Sequence, residues 1–230
     1  MSRVLFLVFS ALYGFECLSQ SMVNLPILFQ PVFGQNKIVL NDTINASQFG
    51  GKGSIEMLKF YISKVQLYQN DSLAYDEDYS YHLIDVSTPI SLNFIVSIPE
   101  KLCFNRIQFK LGIDSLTNVS GAMGGDLDPT KGMYWTWQSG YVNFKLEGKN
   151  TLCKTNNNQF QFHLGGYRTP YSCLQTINLK VSEEKPLVII LDVEKFIKSI
   201  DLAAVNHIMS PSTAAVVLSE YLVKCFTNQR

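Results

Sequence analysis

The sequence predicts an all-β protein, an antiparallel β-sandwich with a short C-terminal helix. Short apolar segments recur between turn residues, apolar and polar residues alternate strictly in the clearest of them, and the one clear helical pattern lies near the C-terminus. Of the 230 residues, 47% are hydrophobic and 17% are charged, which is typical of a folded domain rather than a disordered chain. We expect one β-sandwich domain over residues 20–230, after an N-terminal signal peptide.

Residues 1–19 are predicted to be this signal peptide, removed on export. Arg3 precedes an apolar run from Val4 to Tyr13, which matches the charged start and apolar centre of such peptides. The run is too short to span a bilayer, and no later segment approaches the ~18 to 20 apolar residues that a span requires. Cys17 raises the alternative of a lipoprotein, but the residues before it lack the usual small side chains. We therefore expect a periplasmic or secreted protein without a membrane span.

Strand patterns fill most of the remaining chain. Residues 107–113 alternate apolar and polar side chains, the period of a half-buried strand. Comparable segments lie around 58–67, 82–86, 92–98, 141–146, 160–164, 177–181 and 187–193. Because little helical pattern separates them, they indicate a sandwich or barrel rather than βαβ units, and we favour the sandwich.

The predicted helix closes the chain. Ser210 is a suitable N-cap and Pro211 suits the first helical position. Apolar residues then recur at three- and four-residue intervals up to Cys225. The segments 41–53 and 70–81 are predicted to be loops because they are rich in turn residues.

Four cysteines remain after removal of the signal peptide, in a compartment that permits disulfides. Cys153 and Cys173 bracket a predicted hairpin, which favours a bond between them and leaves Cys103 to pair with Cys225. Sequence alone does not fix connectivity, and free thiols stay open as the alternative.

Charge and motif content argue against several functions. Lys and Arg total 19 and Asp and Glu total 19, so no net positive charge draws the chain to nucleic acid. The motifs Gly-x-Ser-x-Gly and His-Glu-x-x-His are absent, and only three histidines are present. We predict that the protein is not an enzyme.

The segment 111–141 has an unusual composition. A glycine-rich stretch with Asp126 and Asp128 leads into a sequence that holds both tryptophans. The two carboxylates could serve Ca²⁺ as oxygen ligands, but a turn explains the same residues and is preferred. If the next residues form a regular strand, Met133, Trp135 and Trp137 share one face.

Several motifs carry a resemblance to a known family. Residues 132–148 read Gly-Met-Tyr-Trp-Thr-Trp-Gln-Ser-Gly-Tyr-Val-Asn-Phe-Lys-Leu-Glu-Gly, preceded by Leu-Asp-Pro at 127–129. Further matching pieces lie at 60–63, 81–85, 112–115, 162–167 and 207–210. Together they resemble the MbnP-like family of exported, copper-associated β-sandwich proteins of the bacterial envelope.

The resemblance implies a mononuclear copper site. In relatives from methane oxidisers, copper is held by histidine imidazoles together with kynurenine, an oxidised tryptophan, and a dihaem peroxidase-like partner, MbnH, is associated with that oxidation. Applied to this sequence, the resemblance implies that His82 and His163 are the leading ligands and that Trp135 or Trp137 is the ring that is modified. His207 and Met133 are further candidate ligands, and imidazole and thioether are both ligands that suit copper. The alternative for each is structural: a hydrogen-bonded core histidine, a gap-filling methionine or a packed tryptophan.

The strand register at His163 predicts its direction. It alternates with Phe160, Phe162 and Leu164, so its ring faces away from theirs. The predicted function is that of an exported copper-binding protein for uptake, storage or handover. The alternative is a metal-free extracellular module that binds a glycan, a peptide or an envelope protein through exposed aromatic rings.

Overall fold

A computed structural model describes residues 21–45, 49–138, 140–182 and 185–229. The predicted signal peptide, residues 1–19, lies outside these ranges. The strands of the described residues are Met22–Phe33 (β1), Asn36–Lys37 (β2), Gly53–Gln69 (β3), Ser72–Asp76 (β4), Tyr81–Asp85 (β5), Asn93–Pro99 (β6), Arg106–Leu111 (β7), Tyr134–Trp135 (β8), Gly140–Asn150 (β9), Gln159–Gly165 (β10), Gln175–Lys180 (β11), Leu187–Asp192 (β12), His207–Ile208 (β13) and Phe226–Asn228 (β14). The α-helices are Ser115–Val119 (α1), Val193–Ile197 (α2) and Thr213–Leu222 (α3).

The strands form two sheets, and both are mixed. The smaller sheet has the order β14-β12-β1-β2, with β6 also paired to β1. The larger has the order β11-β7-β3-β9-β10-β13, with β4 and β5 on β3 and β8 on β9. The pairs β1 with β12 and β10 with β13 are parallel, so the prediction of a purely antiparallel sandwich was wrong in this respect. Long connections join these parallel partners, whereas short turns between strands give antiparallel pairs.

The two sheets pack face to face around an aromatic core. The ring of Phe29 from β1 lies 5.8 Å from that of Phe60 and 5.7 Å from that of Phe109, in edge-to-face contacts. Phe226 of β14 contacts the same two rings of the larger sheet. The alternating residues of β3, β7, β9 and β10 supply this core, as the strand patterns predict.

The larger sheet has a second face that the smaller sheet does not cover. Lys59 of β3 pairs with Lys145 of β9, and Lys145 pairs with His163 of β10. Directly paired residues project to the same face, so these three lie together, opposite Phe60. The segment 114–135 supplies apolar side chains to a separate cluster on this face that includes Tyr61 and Tyr141. The second face is therefore partly polar and partly covered.

Helix α3 confirms the predicted C-terminal helix but begins later than expected. Ser212, not Ser210, is the N-cap, and its Oγ accepts a hydrogen bond of 3.2 Å from the backbone N–H of Ala215. The buried residues of the helix are Ala215, Ser219 and Leu222. The segment 70–81, predicted to be a loop, contains β4. Within the described ranges, no helix has both the length and the hydropathy to cross a bilayer.

The predicted disulfides are not formed, and all four described cysteines are free thiols. Cys153 lies before β10 and Cys173 lies after it, and a strand of that length separates its ends by about 20 Å. Cys103, which is exposed, and Cys225, which is buried, are not bonded to each other either. The hairpin argument was wrong because both cysteines flank the same strand instead of facing each other across a strand pair.

Candidate metal site

His163 occupies a buried position on the second face of the larger sheet. Its strand register turns it away from Phe162 and Leu164, which lie in the core, as predicted. The residue is only 5% exposed. Its Nε2 lies 2.6 Å from Oε1 of Glu147 on the neighbouring strand β9. One imidazole nitrogen is thus engaged by a carboxylate.

The surroundings of this pair favour a charged Glu147 beside a neutral His163. Burial lowers the pKa of His163 despite the opposing effect of Glu147, and nearby Lys145 lowers it further. Burial alone would raise the pKa of Glu147, but the hydrogen bond from His163 and the charge of Lys145 outweigh it, so the net pKa is lowered. At neutral pH these directions favour an ionised carboxylate beside a neutral imidazole. A neutral imidazole is the form that binds metals.

His207 is the second imidazole near this position. Strand β13 pairs with β10 so that His207 lies beside Gln161, two residues before His163 on the same face. The two rings are close enough for a charge on His207 to lower the pKa of His163. His207 itself is exposed. The structure therefore brings His163 and His207 to one face of adjacent strands.

Trp135 lies against β10, the strand that carries His163. Strand β8 pairs with β9, and the residue is 7% exposed. Its Cζ3 would lie 2.8 Å from a Cβ placed on Gly165, so the ring rests on the bare backbone of that glycine. Gly165 follows His163 by two residues, about 7 Å along the strand. The buried indole therefore covers β10 at a position two residues beyond His163.

Trp137 does not continue inward as a regular strand would require. Strand β8 ends at Trp135 and a turn follows, which leaves Trp137 64% exposed. The two indole rings still touch, with centroids 5.7 Å apart and planes inclined by 44°. The prediction of one shared face was therefore wrong for Trp137, because the strand is only two residues long.

Two lysines of the sheet hold the segment that carries Met133 and Trp135. Lys59 Nζ donates to the carbonyl of Lys131 at 3.2 Å and lies 2.9 Å from Asp85 Oδ2. Lys145 Nζ donates to the carbonyl of Gly132 at 3.2 Å and lies 3.6 Å from Glu147 Oε1. These contacts fix residues 114–135, the covering segment, over the polar residues of the second face.

Met133 and the two aspartates belong to this covering segment. Met133 is fully buried in the cluster of Tyr61 and Tyr141, where its side chain contributes packing. Asp126 accepts hydrogen bonds from Lys131 Nζ at 2.6 Å and from the backbone N–H of Leu83 at 2.9 Å. Asp128 accepts from the backbone N–H and hydroxyl of Thr130. Both carboxylates brace turns of the segment.

His82 lies on the opposite face of the larger sheet from His163. Strand β5 pairs His82 with Ile62, which faces the core, whereas His163 shares the face of Lys59. The His82 ring stacks on Phe94 with centroids 3.6 Å apart, and its Nε2 lies 2.9 Å from Glu77 Oε2. The structure therefore does not bring His82 and His163 together.

Among the described residues, no three His, Cys, Asp or Glu side chains are already gathered at metal-binding distances. Glu147 and His163 form a contacting pair, and exposed His207 lies on the adjacent strand. Sequence reasoning did not single out Glu147, although it lies inside the quoted motif 132–148. Its signal is alternation along β9, which places it on the face of Lys145.

Comparison with known proteins agrees with the motifs. The model of the MbnP family matches residues 22–210, most of the chain. The chain belongs to the MbnP family. The match spans every motif that carried the resemblance, including those around His163, His207 and the two tryptophans.

A solved structure supports the fold of this MbnP-family chain. MbnP from Methylosinus trichosporium is similar with a TM-score of 0.63 and 14% sequence identity, over 84% of this chain and 83% of that chain. At that identity the likeness shows a common fold. No curated protein matches the sequence.

Proposed function

We propose that this MbnP-family protein is an exported copper-binding protein that takes up, stores or hands over copper without catalysing a reaction. The observation that carries the proposal is that His163 and His207 lie on one face of adjacent strands, with Trp135 resting on Gly165 of the same strand as His163. Imidazole nitrogens are ligands that suit copper. The family match supports the assignment to copper rather than to another metal.

Among the candidate donor groups, the two imidazoles are the ones that suit copper without any modification. His163 Nε2 is engaged by Glu147, and its Nδ1 makes no hydrogen bond to any part of the chain that the structure describes. His207 is exposed, so its ring is free to turn toward a bound ion. An unmodified indole offers no lone pair, because its nitrogen only donates. Trp135 would ligate copper only as kynurenine, with the oxidising equivalents supplied by a dihaem peroxidase-like partner of the MbnH type.

The other predicted ligands have different roles in this proposal. His82 lies on the core side of the sheet, stacked on Phe94, and is assigned a structural role. Met133 is assigned to the packing of the covering segment. The copper site is therefore built from His163 and His207, next to Trp135.

Variants on the two faces test the proposal. The purified protein should bind copper near stoichiometrically in a competition titration with a chelator of known affinity. His163→Ala and His207→Ala should abolish or strongly weaken binding, whereas His82→Ala should retain it if the protein stays folded by circular dichroism. A wild-type protein that takes up no copper would contradict the proposal, as would His163→Ala binding like wild type.

The oxidation of tryptophan needs its own experiment. Protein isolated from its native host should show a mass change in the tryptic peptide 132–145, which contains both indoles. Fragmentation should locate the change at Trp135. A change confined to Trp137 would contradict the assignment of the buried ring, and an unchanged peptide would restrict the site to the imidazoles.

One observation favours the alternative of a metal-free binding module. Exposed Trp137 adjoins Gln138, which lines a cleft of about 400 Å³ with Tyr167, Arg168 and Tyr171. Aromatic rings beside polar groups suit glycans and peptides. Binding of such a ligand that survives chelators and is lost in Trp137→Ala would favour this function.

A further inference from the structure

We propose that Glu147 is a positioning residue that presents His163 to copper through its Nδ1 atom. This inference rests on the proposed copper site and assigns a task to a residue outside the predicted ligands. Glu147 Oε1 lies 2.6 Å from His163 Nε2, and the side chains are 22% and 7% exposed. The contact is short, largely buried and formed between adjacent strands.

The hydrogen bond dictates the tautomer of His163. An ionised carboxylate only accepts hydrogen bonds, so Nε2 must carry the hydrogen. A neutral imidazole has a single N–H, which leaves the lone pair of Nδ1 available. Within the described residues, no hydrogen bond occupies Nδ1. The nitrogen that can bind a metal is therefore chosen by the carboxylate.

Metal-binding histidines commonly donate their other ring N–H to a carboxylate, which fixes the orientation of the ring. Glu147 is itself held in place, because Lys145 Nζ lies 3.6 Å from the same Oε1. Lys145 also donates to the carbonyl of Gly132, three residues before Trp135. One chain of contacts thus links the segment that bears Trp135 to the orientation of the His163 ring.

The first test concerns the copper-free protein. Long-range ¹H–¹⁵N spectra of the histidine side chains should show His163 as the Nε2–H tautomer in the wild type. In Glu147→Gln, whose amide can also donate, the spectra should show a mixture of tautomers. A wild-type Nδ1–H tautomer would overturn the inference, as would a Glu147→Gln spectrum identical to that of the wild type.

The second test measures copper affinity by chelator competition. Glu147→Gln should bind copper about 10-fold more weakly, and Glu147→Ala up to about 100-fold more weakly, as is typical for loss of an outer partner of a metal ligand. Glu56→Gln is the matched control, because Glu56 of β3 forms an ion pair with Lys149 of β9 at 2.6 Å, and neither of these residues belongs to the proposed copper site. It should bind copper like the wild type. Circular dichroism checks that each variant is folded.

The outcomes separate this inference from the copper proposal itself. If His163→Ala binds copper normally, the proposed site fails. If His163→Ala loses copper but Glu147→Gln keeps wild-type affinity, the site stands and the positioning role of Glu147 fails. If Glu147→Gln loses binding as completely as His163→Ala and changes the ligand hyperfine pattern of Cu(II), Glu147 is a direct ligand and the positioning role is again overturned.

Discussion

The two faces of the larger sheet are built from alternate residues of the same strands, yet they differ in kind. Phe60 and Lys59 are chain neighbours in β3. Phe60 lies in an apolar core between the sheets, and Lys59 forms an ion pair beneath the covering segment. On the first face, stability comes from dry packing of aromatic rings. On the second, polar side chains are paired with one another and partly shielded from water.

This difference explains which face of a β-sandwich can hold a functional site. Deep in the core around Phe60, where the neighbours are apolar, a charged or metal-binding group would have to be desolvated without a partner, which costs several kcal/mol or more. On the second face, Glu147 is the partner of buried His163, Lys145 pairs with Glu147, and Gly165 leaves room for the Trp135 ring. The paired, half-covered face can hold functional groups that the core would exclude.

The largest expected effect is on the core face. Phe60 is fully buried, and its ring contacts those of Phe29, Phe144 and Phe226 at 5.8 to 6.1 Å. Phe60→Ala should lower the free energy of unfolding by about 3 to 5 kcal/mol, because the cavity cannot close fully. Urea unfolding measures this loss. A decrease below about 1 kcal/mol would mean that the two faces contribute to stability more evenly than their packing indicates.

A smaller effect is expected where the covering segment meets β10. A Cβ at residue 165 would lie 2.8 Å from Trp135 Cζ3 and 2.8 Å from the carbonyl oxygen of Tyr141. Gly165→Ala should therefore cost about 2 to 3 kcal/mol through overpacking and shift the tryptophan fluorescence to longer wavelength as Trp135 is displaced.

Gly124→Ala is the matched control for this change. A Cβ there meets no atom within 4 Å, and its φ of −92° suits any residue. Unfolding energy and emission wavelength should stay close to the wild-type values. An unchanged spectrum in Gly165→Ala would contradict the contact between Trp135 and the bare backbone.

The ion pairs of the second face should make a pH-dependent contribution. Burial would raise the pKa of Asp85, but hydrogen bonds from Ser87 and Lys59 outweigh it and lower the pKa below 3.8. A lowered pKa in the folded state means that the stabilisation is complete above the unfolded pKa and is lost as pH falls through the folded pKa. Asp85→Asn should therefore cost about 1 to 2 kcal/mol at pH 7, and the difference from the wild type should shrink below about pH 4.

Urea unfolding at pH 7 and pH 3 measures this effect. Asp76→Asn is a suitable control, because Asp76 pairs with Lys64 at 3.4 Å with both side chains well exposed, and such pairs contribute little. An Asp85→Asn deficit that stays constant down to pH 3 would show that packing, and not charge, accounts for the loss.

The core face was predictable from the sequence because one observation, alternation, determines both a strand and its buried side. Strand β1 was not predicted, because proline residues such as Pro26 and Pro31 argue against a strand. In the structure, Pro26 is paired only with β6 and Pro31 only with β12. Both prolines thus lie near the ends of strand pairings, where a missing N–H disrupts the ladder little, and the Pro31 carbonyl still accepts a hydrogen bond of 3.3 Å from the Ile38 N–H.

The second face was only partly predictable. Alternation within β10 predicted which way His163 faces, but its relation to His82 depends on the register between strands that are distant in sequence. A register change of one residue moves a side chain to the other face, and a single sequence does not fix that register. The partnership of His163 with Glu147 depends on the same kind of information. Alternation in the sequence thus predicts which face of a strand each residue occupies. The site depends in addition on how separate strands are aligned with one another.

The smallest effect is expected at Trp137, and it sharpens the boundary of the second face. Trp137 touches Trp135 but is mostly exposed, in the turn after β8. Because few of its atoms leave water on folding, Trp137→Ala should change the free energy of unfolding by no more than about 0.5 kcal/mol. Trp135→Phe, which alters the buried ring, should cost more. Urea unfolding of both variants decides the point, and a loss in Trp137→Ala equal to that of Trp135→Phe would place the exposed indole within the packed cover instead of at its edge.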